Sequence, residues 1–341
     1  MTHLKLPHRS PYAGYDVGQL LELHISREPT SPSRSLRVRV RQPQKPWTLS
    51  CCMVVDILDG SDAENLPATT AFLKLFDPRF ADQLRRDNGI KPWTEDMEEA
   101  YVKFVHSGRV HQFLDDLSHV EDFKEKTEEE WDDAQNEAFL TNEHLGLYRA
   151  ETATYKALRS YQGRLIPRLF AEVNLPHNTP PNAQGEVISW PEELFQVKGI
   201  LLQFIDGFRL SDLPDQAPRS SWQNIVDQAV RIVRVLGDNN ILNKDVRPAN
   251  FMVSHSEERR NQTLIGGRAK YTKNEEGAVG LVMQNRLKKH GFDLEYESSE
   301  RYAEWAEGEE EEEEDLTSQG FIRREIRPGG NLLTGASVED R

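Results

Sequence analysis

The chain has 341 residues and a formal net charge of −15 at pH 7, a length that suits one large domain or two lobes. Its acidic balance argues against proteins that bind duplex nucleic acid or an anionic membrane surface, because both partners favour a basic surface. The sequence contains no run of about 18 apolar residues and no apolar signal segment near its start. We therefore expect an intracellular protein, cytoplasmic or nuclear, with neither a nucleic acid nor a membrane among its partners.

The predicted strands are concentrated in the first half of the chain. An apolar stretch at 20–25 is followed by 36–41, where apolar and arginine residues alternate as in a half-exposed strand. Residues 47–58 contain the continuous apolar run CCMVVDIL, which indicates a strand buried on both faces. Residues 71–76 (AFLKLF) form a further predicted strand, ended by Asp77-Pro78. Strands without helices between them predict an antiparallel sheet.

Helical periodicity begins at 96–117 and returns at 127–161, where Thr127 and Glu130 have the spacing of a capping box. The acidic segment between these helices is interpreted as a solvated surface. Predicted strands at 165–173 and 199–205 follow, then an amphipathic helix at 222–237, a short strand at 251–253 and a helix at 275–289. The acidic stretch from 304 onward predicts disorder.

The number and position of the cysteines bear on whether disulfides or a zinc site can stabilise the fold. Cys51 and Cys52 are the chain's two cysteines, and they are adjacent in a predicted strand. Neighbouring side chains on a strand point to opposite faces, so we expect no disulfide between them. A disulfide framework and a cysteine-based zinc site are therefore excluded.

The segment ILNKDVRPANFMV at 241–253 carries the residues best suited to catalysis. It places Asp245, Arg247 and Asn250 within six residues. An aspartate and an asparagine five positions apart can present a base and a metal-binding amide to one small cavity. An ordinary turn is an equally good interpretation of the spacing, since Asp, Pro and Asn are all turn formers.

This segment resembles the catalytic loop of the protein-kinase superfamily, H-R-D-L-K-P-x-N followed by an apolar strand. Asn243 and Lys244 stand in place of the His and Arg of that motif, and Arg247 in place of its Lys. The chain as a whole is similar to a group of kinase-like proteins common in fungi, through AFLKLFDPRFADQLR, IPRLFAE and GILLQFIDGFRLSDL as well as this loop. The similarity covers about residues 47 to 289.

The resemblance implies an α+β, two-lobed protein-kinase-like fold. An N-lobe antiparallel sheet with inserted helices would occupy 20–205, with the helical insertion at about 84–147. A reduced helical C-lobe carrying the catalytic loop would occupy 206–303. An N-terminal extension (1–19) and a disordered acidic tail (304–341) would flank the two lobes.

The resemblance also implies a reaction, in which the γ-phosphate of ATP is transferred to a serine or threonine hydroxyl of a protein substrate. ATP and Mg²⁺ are the implied cofactors. Asp245 matches the catalytic base with Arg247 beside it, and Asn250 matches the magnesium-binding asparagine. Lys74 matches the lysine that holds the α- and β-phosphates, although a lysine between apolar residues on a strand is also typical of a surface position.

Further site residues follow from the same resemblance. The ion-pair partner of Lys74 is predicted to be Glu151, with Glu143 as the competing candidate. Residues 203–206 are predicted to bind adenine through their backbone, which makes Gln203 and Phe204 cofactor-binding residues.

Two departures from the family pattern leave alternatives open. No G-x-G-x-x-G motif is present in the predicted sheet, and Leu264-Ile265-Gly266 stands where the family has D-F-G. Because leucine cannot coordinate Mg²⁺, one alternative is a catalytically silent pseudokinase that acts as a binding or scaffold module. Another is that the sequence lacks a segment with D-F-G, and a third is a small-molecule kinase, since such enzymes use a similar Asp-x₄-Asn loop.

Overall fold

A computed structural model describes residues 14–26, 34–60, 66–176, 192–239, 241–243, 246–255, 263–265, 276–297 and 321–323. Its first feature is a closed barrel of six antiparallel strands in the order β1-β2-β3-β4-β6-β5. The strands are β1 (Leu20–Ser26), β2 (Arg34–Pro43), β3 (Cys51–Gly60), β4 (Thr70–Phe76), β5 (Leu169–Pro176) and β6 (Gln196–Gln203).

The barrel overturns the predicted two-lobed kinase-like fold. The α+β class is correct, but the expected N-lobe sheet packed on a helical C-lobe is wrong. Strand β1 pairs with β2 along one side and with β5 along the other, so the six strands close on themselves. Closure removes the free sheet edges that would otherwise need protection. The apolar stretch at 20–25 indicated a strand but not its two partners, because strand pairing is decided by residues far apart in the chain.

The interior of the barrel is filled by alternate side chains of each strand. On β2 the inward residues are Leu36, Val38 and Val40, all fully buried, while Arg37 and Arg39 face outward. This arrangement confirms the half-exposed strand predicted at 36–41. Inward residues of the other strands complete the core, among them Met53, Leu73, Leu75, Val173 and Leu201.

The outer face of β4 and β6 is also buried, which explains their continuous apolar sequences. Phe76 on β4 and Ile200 and Leu202 on β6 belong to a second core. The same core includes Ile225, Val226, Ala229, Ile232 and Val233 of helix α7 (Trp222–Asp238). The wall of the barrel therefore separates two apolar cores.

Five α-helices lie between β4 and β5. They are α1 (Asp82–Asp87), α2 (Glu95–His106), α3 (Arg109–His119), α4 (Phe123–Thr127) and α5 (Asp133–Ala157). The single helix predicted at 96–117 is divided into α2 and α3 by Gly108, whose φ of 77° lies in the left-handed region. The capping box predicted at Thr127 is wrong. The N-cap of α5 is Asp132, which exchanges hydrogen bonds of 2.9 and 3.1 Å with Gln135.

The remaining strands and helices follow β6, and several of them share an apolar core with α7. They comprise β7 (Gly207–Arg209), α6 (Leu213–Gln216), β8 (Ile241–Asn243), β9 (Phe251–Ser254), β10 (Thr263–Ile265), α8 (Gly277–Lys288) and β11 (Phe321–Arg323). Strands β10, β9 and β7 form one antiparallel sheet, and β8 pairs with β11. Gly207 is required in β7, because a Cβ there would lie 2.0 Å from the carbonyl oxygen of Val253. Within the described ranges, no helix combines the length and the apolar character that a membrane crossing needs.

Candidate functional site

The central feature of the candidate site is a buried ion pair between the barrel and helix α5. Lys74 lies on the outer face of β4, and its Nζ donates a hydrogen bond to Oε2 of Glu151 on α5. Each residue is only 6% exposed. Of the two partners considered from the sequence, Glu151 and Glu143, the structure pairs Glu151 with Lys74.

Aromatic side chains enclose this pair. The ring of Phe76, two residues along the same face of β4, has its centroid 5.2 Å from Nζ of Lys74. Phe76 in turn contacts Tyr148 edge-on, at 5.8 Å between ring centroids. Tyr148 donates a hydrogen bond of 2.6 Å to Glu172 on β5, so α5 is fastened to two strands of the barrel. These contacts fix Glu151 in position beside Lys74.

Two further side chains, Cys52 and Tyr155, lie near this ion pair. Cys52 on β3 is directly opposite Lys74 in the strand register, and paired residues of antiparallel strands project from the same face. Tyr155 follows Glu151 by one helical turn, and burial, together with the neighbouring charge of Glu151, raises the pKa of its hydroxyl well above the usual value. The hydroxyl is therefore neutral at physiological pH.

The predicted adenine-binding residues lie at the end of β6. This strand pairs with β4, with Gln203 opposite Ala71 and Ile200 opposite Lys74. Gln203, the last residue of β6, makes two hydrogen bonds with the backbone of Arg168. The backbone N–H of Gln203 donates to the Arg168 carbonyl at 2.8 Å, and the side-chain oxygen of Gln203 accepts from the Arg168 N–H at 3.3 Å. Phe204 follows as the first residue beyond the strand. The register thus places this segment about 10 Å along the sheet from Lys74.

The segment resembling a catalytic loop is described in part. Asp245 and Lys244 lie outside the described residues. Arg247 is exposed, and Asn250 is half-buried in a 3-10 turn at Pro248–Asn250, with its N–H bonded to the Arg247 carbonyl at 2.9 Å. Strand β9 begins at the next residue, and it pairs with β7, which follows the 203–206 segment. One short sheet therefore connects the end of β6 to Asn250.

The position expected for a second metal ligand is occupied by Leu264 on β10. This strand runs antiparallel to β9, with Leu264 opposite Met252. Mg²⁺ takes hard oxygen ligands in near-octahedral geometry, which an aliphatic side chain cannot supply. Among the described residues no group of three His, Cys, Asp or Glu side chains could hold a metal ion. Lys74 has the charge and the N–H donors that fit a phosphate group of ATP.

Sequence reasoning missed a second buried charged network at the end of β4. Asp77 accepts hydrogen bonds from Tyr15 at 2.6 Å and from Nη2 of Arg79 at 2.6 Å, and the Asp77 carboxylate is fully buried. Arg85 donates two hydrogen bonds of 2.7 Å to Glu137 on α5. The run DPRF after an apolar strand was the available signal, since a buried strand end leaves charged residues in need of partners.

Comparison with known proteins assigns the chain to no family: no family model matches it, and no curated protein matches it either.

Proposed function

We propose that this protein binds ATP, with Lys74 on the α- and β-phosphates, and transfers the γ-phosphate to a serine or threonine hydroxyl of a protein substrate. The observation that supports the proposal best is the buried Lys74–Glu151 pair. Buried ion pairs add little stability over apolar side chains of similar volume, so stability alone gives weak grounds for keeping one. An ammonium group held by Glu151 keeps further N–H donors for phosphate oxygens.

The other candidate residues complete this proposal. Gln203 and Phe204 would hold adenine through their backbone, at the end of a strand paired with β4. Asp245 would accept the proton of the attacking hydroxyl, whose oxygen forms the new bond to the γ-phosphorus as the bond to the β–γ bridging oxygen breaks. Arg247 beside it would hold phosphate or substrate. Asn250 would hold Mg²⁺ through its side-chain oxygen.

A second candidate function is that of a catalytically silent module that binds nucleotide or a protein partner. The replacement of the metal-binding carboxylate by Leu264 on β10 favours it. Electrostatic stabilisation and positioning supply most of the catalysis of phosphoryl transfer. Loss of a metal ligand would therefore remove the reaction while leaving the contact between Lys74 and phosphate.

The proposed location is the cell interior, cytoplasm or nucleus, where ATP is available. Imaging of the tagged protein in its own cells, with a secreted protein as control, tests this location. Colocalisation with the secreted control would contradict it.

ATP binding is tested by replacing the whole ion pair rather than one partner. A Lys74→Met, Glu151→Leu double variant avoids leaving a buried charge unpaired, and we expect it to weaken ATP binding by about 10- to 100-fold, the value of a hydrogen bond to a charged group. Calorimetric titration of ATP into the full chain measures the effect.

The matched control is an Arg85→Met, Glu137→Leu variant, which removes the other buried ion pair of the same helix. It should bind ATP like the unmodified protein. Equal loss in both double variants would mean that α5 packing, not Lys74, decides the result. Unchanged binding in the Lys74 variant would overturn the proposal.

Transfer is tested with labelled ATP, first on a protein mixture and then on small alcohols. The kinase reaction would be supported if labelled phosphate is incorporated into serine or threonine, and if this incorporation is lost in Asp245→Asn. It should be retained in Asp293→Asn, which changes an exposed aspartate. Labelled small alcohols would instead indicate a small-molecule kinase. ATP binding without any labelled product, and without a larger thermal shift when Mg²⁺ is added, would favour the silent module.

A further inference from the structure

A cavity next to the buried charged network shares Phe76 with the candidate ATP site, but neither Lys74 nor Glu151 lines it. Its walls are the end of β4, the start of β6, helix α2 and the first half of α5, and its volume is about 40 Å³. The lining residues of α5 are Glu137, Thr141, His144 and Leu145, two to four turns before Glu151. One water molecule needs roughly 10–15 Å³ of such space, so the cavity is large enough for about three or four non-hydrogen atoms.

One cationic donor in the cavity wall lacks a partner. Arg79 is 8% exposed, and its Nε and Nη2 donate to Asp77, but Nη1 has no hydrogen-bond partner. A buried guanidinium nitrogen without an acceptor is costly. An oxygen atom placed in the cavity against Nη1 would remove this cost.

The charges around the cavity are balanced. Arg79 and Lys198 are opposed by Asp77 and Glu98, and the carboxylate of Glu137 is neutralised by Arg85. An anion would enter beside Glu98, which also influences the charge of Arg79, and a cation would enter beside Arg79. An uncharged ligand avoids both conflicts.

Two hydroxyl groups of the wall can act as acceptors. The hydroxyl of Thr141 donates to the Glu137 carbonyl at 2.8 Å, and that of Tyr101 donates to the Leu194 carbonyl at 2.8 Å. Both oxygen atoms keep lone pairs that can accept. The ligand that fits is therefore uncharged, with an oxygen acceptor for Arg79 and N–H donors for these oxygens.

We propose that this cavity binds a small uncharged carboxamide, whose carbonyl oxygen accepts from Arg79 Nη1 and whose NH₂ group faces Thr141 and Tyr101. Acetamide has four non-hydrogen atoms, in agreement with the cavity volume. Its isostere acetate has the same shape and an anionic charge, so the pair of probes separates fit from charge.

The experiment titrates acetamide and acetate separately into the full chain labelled with ¹⁵N-arginine and follows the Nε–H resonance of Arg79. We expect a saturable shift with acetamide in the millimolar range, as for other very small ligands, and at least a tenfold weaker response to acetate. Soaked crystals should show acetamide against Nη1. Equal responses to both probes, or ordered water that acetamide does not displace, would overturn the proposal.

Two variants identify the site. Arg79→Lys keeps a cation beside Asp77 but removes Nη1, and it should abolish the soaked acetamide while identifying the Arg79 resonance by its loss. Thr141→Leu fills part of the cavity without touching the Asp77–Arg79 pair, and it should abolish the acetamide shift of Arg79. Acetamide binding that survives Thr141→Leu unchanged would contradict the assignment even if Arg79→Lys failed to fold.

Discussion

At the scale of single residues, the structure contains three buried ion pairs near β4, which differ in what they can do. Lys74–Glu151 faces the seam between the barrel and the helices, Asp77–Arg79 closes the end of β4, and Arg85–Glu137 holds α1 against α5. The first is proposed to contact phosphate. The other two lie in the helical insertion and at its junction with the barrel. Their contribution to stability is that each partner keeps the buried charge of the other paired, and Arg79 is also proposed to bind the carboxamide.

The Asp77 carboxyl makes this contribution dependent on pH. Burial alone would raise its pKa, but the charge of Arg79 and the hydrogen bonds from Arg79 and Tyr15 outweigh burial and hold the pKa below its usual value. A carboxyl with a lowered pKa stabilises the fold above its unfolded pKa of about 4, and this contribution is lost as pH falls through the folded value.

We therefore expect Asp77→Asn to destabilise the protein by about 3–5 kcal/mol at pH 7, because it leaves the Arg79 charge buried without a counter-charge. The difference from the unmodified protein should shrink as pH falls below about 4. Urea unfolding across this pH range measures it, with Asp59→Asn in the exposed Arg37 pair as the control. A difference that stays constant with pH would contradict the assignment.

At the scale of elements, helix α5 connects the insertion to the candidate site. Glu137, His144 and Glu151 recur at intervals of seven residues, two turns apart, so they share one face of the helix. Burial lowers the pKa of His144 to about 4, which keeps this middle residue neutral at physiological pH. The charges on this face are thus confined to the two ion pairs, at either end of about 21 Å of helix.

The N-terminus of α5 gives a prediction at this scale. Asp132→Ala removes the side-chain acceptor of the Gln135 N–H, and we expect a loss of about 1 kcal/mol in the free energy of unfolding. Asp132→Asn should restore most of it, since asparagine caps equally well. Urea unfolding of both variants decides the matter. Equal stability of the Ala and Asn variants would show that the capping box contributes nothing measurable.

At the scale of the whole molecule, the barrel wall separates the barrel interior from the outer face, and each of the two adjacent cysteines lies on one side of it. Cys51 points into the barrel and is fully buried, whereas Cys52 is partly exposed on the outer face, opposite Lys74. A thiol reagent can reach Cys52 in the folded protein, but it reaches Cys51 only when the barrel opens.

We therefore expect different labelling of the two single-cysteine variants. In Cys51→Ala, Cys52 should react readily and should be slowed several-fold by saturating ATP, because the proposed phosphate site lies across the strand pair. In Cys52→Ala, Cys51 should react only at the rate of barrel opening, as measured by urea dependence. Rapid labelling of Cys51 without denaturant would contradict the closed barrel, and ATP-independent labelling of Cys52 would count against nucleotide at Lys74.

Local sequence determined the elements. Three kinds of pattern predicted the correct strand or helix, because such patterns record which side chains are buried. They are the alternation at 36–41, the apolar runs around Cys52 and Lys74, and the amphipathic period of 222–237. The resemblance to protein kinases singled out Lys74 and offered Glu151 as its partner on a predicted helix. The strand predicted at 251–253 put Asn250 directly before a strand, and the resemblance put Leu264 on the strand that follows.

The pairing of distant strands and the side-chain contacts of the candidate sites were decided only by the tertiary structure. Closure of the barrel depends on β1 meeting β5, whose residues lie about 150 positions away in the chain, and no local pattern encodes such a partner. The packing of α5 on β4 likewise decided three features of the sites. It selected Glu151 over Glu143, enclosed Lys74 with Phe76 and formed the cavity against Arg79. Sequence fixes burial patterns residue by residue, whereas contacts between distant elements are set by the packing of the whole chain.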